Sequence, residues 1–360
     1  MGRVGRLTAA AVVALSMAMV QQRPRLALEA SSGEAARAPE RLSQTGLFEG
    51  GRVDRIDARN RPFSPQYPLW SDGARKSRWV YLPPNASIEA GTAADWEFPV
   101  GTRFWKEFRF GDRKIETRML WKATASSWVA VSYAWNSEQS DAVLAPAAGL
   151  PNVAEIVPGR QHTIPSRTDC LACHGSKRTT ALGFNLLQLS TDRDPNAIHG
   201  EPLEPGMVTL DTLVREHRLS PLPASVASQP PRIRSRDPLT RAMLGYFAAN
   251  CGTCHNASGE IATLGPSLKF SDLLRDGDAI AARLVGHDTS WQVPGVPEGQ
   301  SVLVDPRTPE QSAMLVRMRS RRPSSQMPPL GTVVRDEAAV AALTRWIAER
   351  AKKGATIGSQ

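Results

Sequence analysis

"RFWKEFRFGDRKIETRMLW", residues 103–121, alternates apolar and polar side chains on both sides of a Gly-Asp pair. Phe104, Phe108 and Phe110 share one parity before the pair, and Ile115, Met119 and Trp121 share one after it. Period-two alternation either side of Gly111-Asp112 predicts a β-hairpin closed by a two-residue turn. "SWVAVSYAW", residues 127–135, predicts a third strand. Trp70, Trp79, Trp96, Trp105, Trp121, Trp128 and Trp135 all fall within residues 42–158. This stretch is therefore expected to be a β-rich domain, sandwich or barrel-like, its aromatic side chains serving as core.

Around that stretch, 360 residues leave room for two or three domains, and 41% apolar with 22% charged residues is a globular composition. The formal charge of +9 comes from Lys and Arg spread along the chain, which reads as a solvated, Arg-rich surface. No zinc-finger, RNP-type or phosphate-loop pattern occurs, so no nucleic-acid partner is expected. At the N-terminus "MGRVGR" precedes an uncharged run at 7–20. That run is short of the roughly 20 apolar residues a membrane span needs and suits a signal peptide occupying 1–20. Export, to a periplasm or beyond, is the expectation, with membrane association only through an N-terminus left uncleaved. Residues 21–41 are expected to form a flexible leader.

The chain has four cysteines, all in two similar units. "DCLACHGSK" (169–177) holds Cys170, Cys173 and His174, and "NCGTCHNAS" (250–258) holds Cys251, Cys254 and His255. No cysteine is left over for a structural disulfide. A shared zinc site would bring its cysteine pairs back after about 12 to 20 residues, and a histidine next to a cysteine points away from it. A redox dithiol explains neither the histidine nor the duplication. Covalent haem attachment accounts for both: the thiols add to the two vinyl groups, and the adjacent imidazole ligates iron. Two covalently bound haem c groups are therefore expected, with His174 and His255 as axial ligands.

Upstream of the second unit, "DPLTRAMLGYFAAN" (237–250) predicts a helix opening at Asp-Pro, with Leu239, Met243, Leu244 and Phe247 at helical spacing. "RDEAAVAALTRWIAER" (335–350) predicts an amphipathic helix with Val340, Leu343, Trp346 and Ile347 towards the core. "QMPPLG" (326–331) presents Met327 as a thioether donor before a stiff Pro328-Pro329 turn. With these features residues 239–352 resemble a class I cytochrome c, which implies an all-α domain. The resemblance also implies that Phe247 and Trp346 pack where the terminal helices cross, and that Pro266 offers its carbonyl to the other nitrogen of His255. Met327 then falls at the sixth iron ligand, a thioether that favours Fe(II).

The whole chain is also similar to a family of exported two-haem c-type cytochromes with a β-rich N-terminal region. The matching stretches are "YPLWSDGARKSRWVYLPP", "FPVGTRFWKEF", "ETRML", "IPSRTDCLACH" and "LGFNLLQLS". The resemblance implies periplasmic electron transfer between redox partner proteins and assigns the β-rich part no substrate.

The first unit is less complete. It is expected in an irregular haem-binding segment, 159–219, ahead of a Pro-rich linker at 220–238, with residues 181–189 as an apolar haem wall. For its sixth ligand Met207, in "EPGMVTLDTL", is preferred because its Pro-Gly-Met turn is like the second site. His199, His162 and an open iron stay as alternatives, and an open iron would suit a two-haem peroxidase-like oxidoreductase. The expected fold class is thus multidomain α+β: a β-rich N-terminal domain, an irregular haem-binding segment and an all-α class I cytochrome c domain.

Overall fold

The computed structural model describes residues 37–91, 96–174, 181–221, 229–257, 261–262 and 264–357. The signal peptide expected at 1–20 and residues 21–36 of the leader lie outside them, while the end of the leader is not free, since Arg41 forms an antiparallel bridge with Val143. Among the described residues no helix is long and apolar enough to cross a membrane.

Six antiparallel strands form one sheet in sequence order: β1 (Arg61–Pro62), β2 (Arg75–Tyr81), β3 (Arg103–Phe110), β4 (Arg113–Lys122), β5 (Trp128–Trp135) and β6 (Ala142–Leu144). The hairpin expected at Gly111-Asp112 forms, with Phe110 opposite Arg113. A register shift between Phe108 and Arg109 then sets Phe108 opposite Glu116 and Phe104 opposite Leu120. β7 (Leu150–Val157) and β8 (Arg160–Ile164) form a separate hairpin. It leads into helix α1 (Arg167–His174). Helices α2 (Leu210–Arg215), α3 (Pro238–Asn250), α4 (Phe270–Leu284), α5 (Ala313–Arg319) and α6 (Glu337–Ile357) follow.

Both faces of the sheet are covered. On one, Trp105, Met119, Val131 and Tyr133 pack with Leu42, Leu47 and Phe48 from the segment before β1. On the other, Val80 and Phe104 pack with Phe63, Phe98 and Phe184. Each such large apolar side chain removed from water contributes about 1.5–3 kcal/mol.

The expected fold class is corrected at three points. First, the N-terminal part is neither a sandwich nor a barrel. It is a single open sheet whose end strands, β1 and β6, do not pair with each other, and its second layer is supplied by loops and by residues 181–219. Second, the segment 159–219 is not irregular throughout, since it contains β8, α1 and α2. Third, an all-α class I cytochrome c domain at 239–352 is not what the chain forms. Between α4 and α5 the backbone makes a parallel bridge from Val285 to Val304 and an antiparallel one from Asp288 to Val302.

The core of this C-terminal part is also shared. Tyr67 and Leu187 are buried in the same cluster as Met243, Phe247, Leu343 and Trp346. The physical reason lies in α3, which is buried on every side from Thr240 to Phe247 and so has no solvent face. A Cβ on Gly245 would lie 2.1 Å from the Tyr67 ring, so the glycine makes the seat into which the N-terminal part docks. Residues 38–360 accordingly form one compact unit.

Candidate functional site

The first Cys-x-x-Cys-His unit lies on α1. Ser166 and Asp169 cap the helix reciprocally: the Asp169 carboxylate accepts from the Ser166 N–H at 3.0 Å, and Ser166 Oγ accepts from the Asp169 N–H at 3.1 Å. Three residues apart on a helix, Cys170 and Cys173 share a face. Cys170, Cys173 and His174, the last residue of α1, are all half-buried. α1 packs on β5. There it meets a charged cluster on the sheet. Arg118 bonds both oxygens of Glu116, at 2.7 and 2.9 Å, and His162 Nε2 lies 3.1 Å from Glu116 Oε2. Burial holds the Cys170 thiol above its ordinary pKa, against the pull of the Arg118 guanidinium.

The second unit sits in tight turns after α3. The N–H groups of Cys251 and Gly252 both donate to the Phe247 carbonyl, at 2.8 and 2.9 Å, and His255 N–H donates to the Cys251 carbonyl at 2.8 Å. The chain then returns so that Leu268 N–H bonds the His255 carbonyl at 2.9 Å. A Cβ on Gly252 would lie 2.5 Å from the Leu268 carbonyl oxygen, so only glycine permits this closure. Burial and the neighbouring Arg317 hold the His255 pKa below its ordinary value. That keeps the imidazole neutral, the form that ligates a metal. Cys251 is pushed up to about 12 by burial and by Cys254.

The two units meet. The Cys173 and Cys254 thiols act on each other, so that Cys254 is lowered and Cys173 raised from the ordinary thiol value. Contacts on either side fix this approach. The Trp70 N–H donates to Asn250 Oδ1 at 2.8 Å, immediately before Cys251. Asp72 Oδ1 accepts from the Val333 and Val334 N–H groups at 2.8 Å each, and Trp70 Nε1 donates to the Val334 carbonyl at 3.2 Å.

Met327 is half-buried, and its N–H donates to the Arg317 carbonyl at 3.0 Å. Arg317, whose carbonyl anchors the Met327 backbone, also bears on His255 through its charge. Pro266 is half-buried two residues before Leu268, on the segment that closes over His255. Phe247 meets Trp346 edge to face, with centroids 6.2 Å apart, the contact that the resemblance implied.

Met207 is not brought to the first unit. Its sulfur accepts from the Glu204 N–H at 3.4 Å within its own turn, and Val208 N–H bonds the Pro62 carbonyl at 2.7 Å. It therefore lies at the β1 edge, while α1 packs on β5, four strand steps or roughly 19 Å across the sheet. His199 stacks on Trp70 at 4.9 Å, and its Nε2 lies 2.9 Å from both oxygens of Asp336, at the start of α6. His162 is the one alternative held beside the first unit, through Glu116. The proposed wall at 181–189 turns inward: Phe184, Leu186 and Leu189 fill the core beneath the sheet and Leu187 fills the helical core.

Sequence reasoning missed Glu116, Arg118, Lys106 and Asp72. The signal for the strand residues was there, since Lys106, Glu116 and Arg118 share a face with Phe104 and Phe108. Comparison with known proteins adds nothing further. No family model, curated protein or solved structure matches the chain.

The donor set can be tested against the haem reading directly. Among the described residues no three His, Cys, Asp or Glu side chains cluster to hold a bare metal ion. A haem asks less, because it brings four ring nitrogens and needs two thiols and one or two axial donors from the chain. Cys170 and Cys173, half-buried and one helical turn apart on α1, fit that requirement, as does a neutral, half-buried His255, while Cys254 in the second unit is exposed.

Proposed function

We propose that the chain is an exported two-haem c-type cytochrome that carries out electron transfer, a member of the family its sequence resembles. The observation that carries the reading is the pair of Cys-x-x-Cys-His units, one on α1 and one in the turns after α3, each setting two thiols and a histidine close along the chain. Together these units use every cysteine of the chain. Cys170 and Cys173 would hold one group and Cys251 and Cys254 the other, with His174 and His255 on iron. A haem at each unit supplies one-electron exchange between ferric and ferrous iron.

The chain's own residues set the conditions for that exchange. Burial keeps His255 neutral and so able to donate. Met327, anchored beside the same Arg317, is the thioether proposed for the far side of that iron. At the first unit Arg118 offsets the burial of the thiols, and of the three distal donors considered His162 is the one nearby. The partners are redox proteins, one donor and one acceptor, met outside the cytoplasm.

Intact mass of the mature protein tests the reading. Two covalent haems are expected, one lost in the Cys170→Ser/Cys173→Ser double variant and the other in Cys251→Ser/Cys254→Ser. A wild-type protein carrying one haem or none would overturn it. Adding cyanide to the oxidised protein separates electron transfer from peroxidase-like chemistry, because only an open iron binds it readily.

A further inference from the structure

One face of the sheet carries four side chains directly opposite one another on successive strands: Arg78 on β2, Lys106 on β3, Arg118 on β4 and Ser132 on β5. Like charges opposite each other destabilise a sheet, so three cations in a row call for compensation. Two have it. Arg78 Nη1 bonds Glu201 Oε2 at 2.7 Å, and Arg118 bonds both oxygens of Glu116. Glu116 is shared with His162 and Glu201 with Ser64, so neither carboxylate is spare.

Lys106 has no carboxylate bonded to it among the described residues. Its ammonium lies 4.8 Å from the Phe108 ring centroid, and the Arg118 guanidinium lies 4.4 Å from the same centroid. Lys76, on the same face of β2, adds a fourth cation, its own Nζ bonded to the Leu69 carbonyl at 2.8 Å. Burial and these three cations hold Lys106 well below its ordinary pKa, against the opposing charge of Glu116. At the end of the row Ser132 is only 6% exposed, yet its hydroxyl has no hydrogen-bond partner among the described residues. Native folds rarely leave a buried donor without an acceptor. Surplus positive charge at Lys106 and an orphaned O–H at Ser132 thus share one face with Arg118 between them, and both lack an acceptor among the described residues.

We propose that Lys106, Arg118 and Ser132 form a binding site for a small oxyanion, a carboxylate by preference, next to the first Cys-x-x-Cys-His unit. Ammonium, guanidinium and hydroxyl all donate, so the occupant must accept on more than one oxygen. Arg118 acts on Cys170 and Cys173 as well, which puts the occupant beside those thiols. Such a carboxylate has two sources, a solute from outside or a propionate of a haem attached at Cys170 and Cys173.

The test titrates acetate, and separately phosphate, into the full mature protein at constant ionic strength, after its haem content has been fixed by mass. Heat of binding and unfolding temperature are followed for wild type, Lys106→Gln and Ser132→Ala, with Lys106→Met in reserve should the Gln variant not fold. A solute site gives saturable binding to wild type, weakened at least tenfold in Lys106→Gln and measurably in Ser132→Ala. In anion-free buffer Lys106→Gln, relieved of a buried repulsion, then unfolds no earlier than wild type. A haem-borne carboxylate gives no binding of added anion, but Lys106→Gln lowers the reduction potential of one haem, because a cation favouring Fe(II) is gone. The proposal falls if neither anion binds and no potential moves while haem content is unchanged. It falls equally if Lys106→Gln is less stable and still responds to anion, for Lys106 would then be structural only.

Discussion

Glu116 shows how one side chain can tie the sheet to the chemistry beside it. Burial opposes its charge, but Arg118 and His162 outweigh that and hold the carboxyl down to about 2, against an ordinary 4.5. The folded state thus binds its proton less readily than the unfolded chain does. Its stabilising effect is complete above about pH 4.5 and is lost as pH falls from there towards 2, a difference of roughly 3 kcal/mol. Unfolding temperature measured against pH should fall steeply across that window in wild type. Glu116→Gln, with no carboxyl to titrate, should be less stable at neutral pH and should show a shallower fall below pH 4.5. Equal slopes in the two proteins would mean the Arg118–Glu116–His162 cluster does not stabilise the fold. At this scale the cysteines and histidines were legible in the sequence, because their spacing is itself a chemical instruction. Glu116, Lys106 and Arg118 were only half legible: parity puts them on the face of Phe104 and Phe108, but nothing local says which partners meet charged groups there.

Elements were legible where their ends carry a cap or a turn. Gly111-Asp112 closed the hairpin, and Asp237-Pro238 opened α3. The missed helix, α1, had its signal too, in the Ser166-x-x-Asp169 box, but the segment around it lacks helical apolar periodicity. Asp237 offers a direct measure of what a cap contributes here. Its Oδ2 accepts from the Thr240 N–H at 3.1 Å and from the Thr240 hydroxyl, and that hydroxyl in turn receives Trp346 Nε1 at 3.2 Å. The cap therefore orients a residue that joins α3 to α6. Asp237→Ala should cost about 1–2 kcal/mol, the upper part of the range for lost N-caps, read from denaturant unfolding. Asp237→Asn, which keeps an acceptor, should recover most of it. A loss confined to a few tenths of a kcal/mol would show that the link to Trp346 does not depend on the cap.

For the whole molecule, the expectation of separate domains failed because patterns within a segment do not say what covers it. The open sheet takes its second layer from residues 181–219, and α3 takes Tyr67 on the side where a free-standing bundle would meet water. Asp72 and His199, both at positive φ, hold the start of α6 and the strand of chain before it. Left-handed backbone costs a non-glycine residue about 1 kcal/mol or more, which the contacts across this junction must offset. A shared core of this kind predicts one unfolding event. Tryptophan emission reports chiefly on the sheet, where Trp79, Trp105, Trp121, Trp128 and Trp135 lie, whereas circular dichroism at helical wavelengths reports chiefly on α3, α4 and α6. The two signals should give the same midpoint in denaturant, the mark of a two-state transition. Trp70→Ala keeps the backbone N–H bond to Asn250 but deletes the stack on His199 and the indole bond to Val334. It should lower that midpoint while pulling the two curves apart. Separate midpoints already in wild type would mean that the helical part folds on its own, and that the seat of Tyr67 on Gly245 is a contact between domains rather than part of one core.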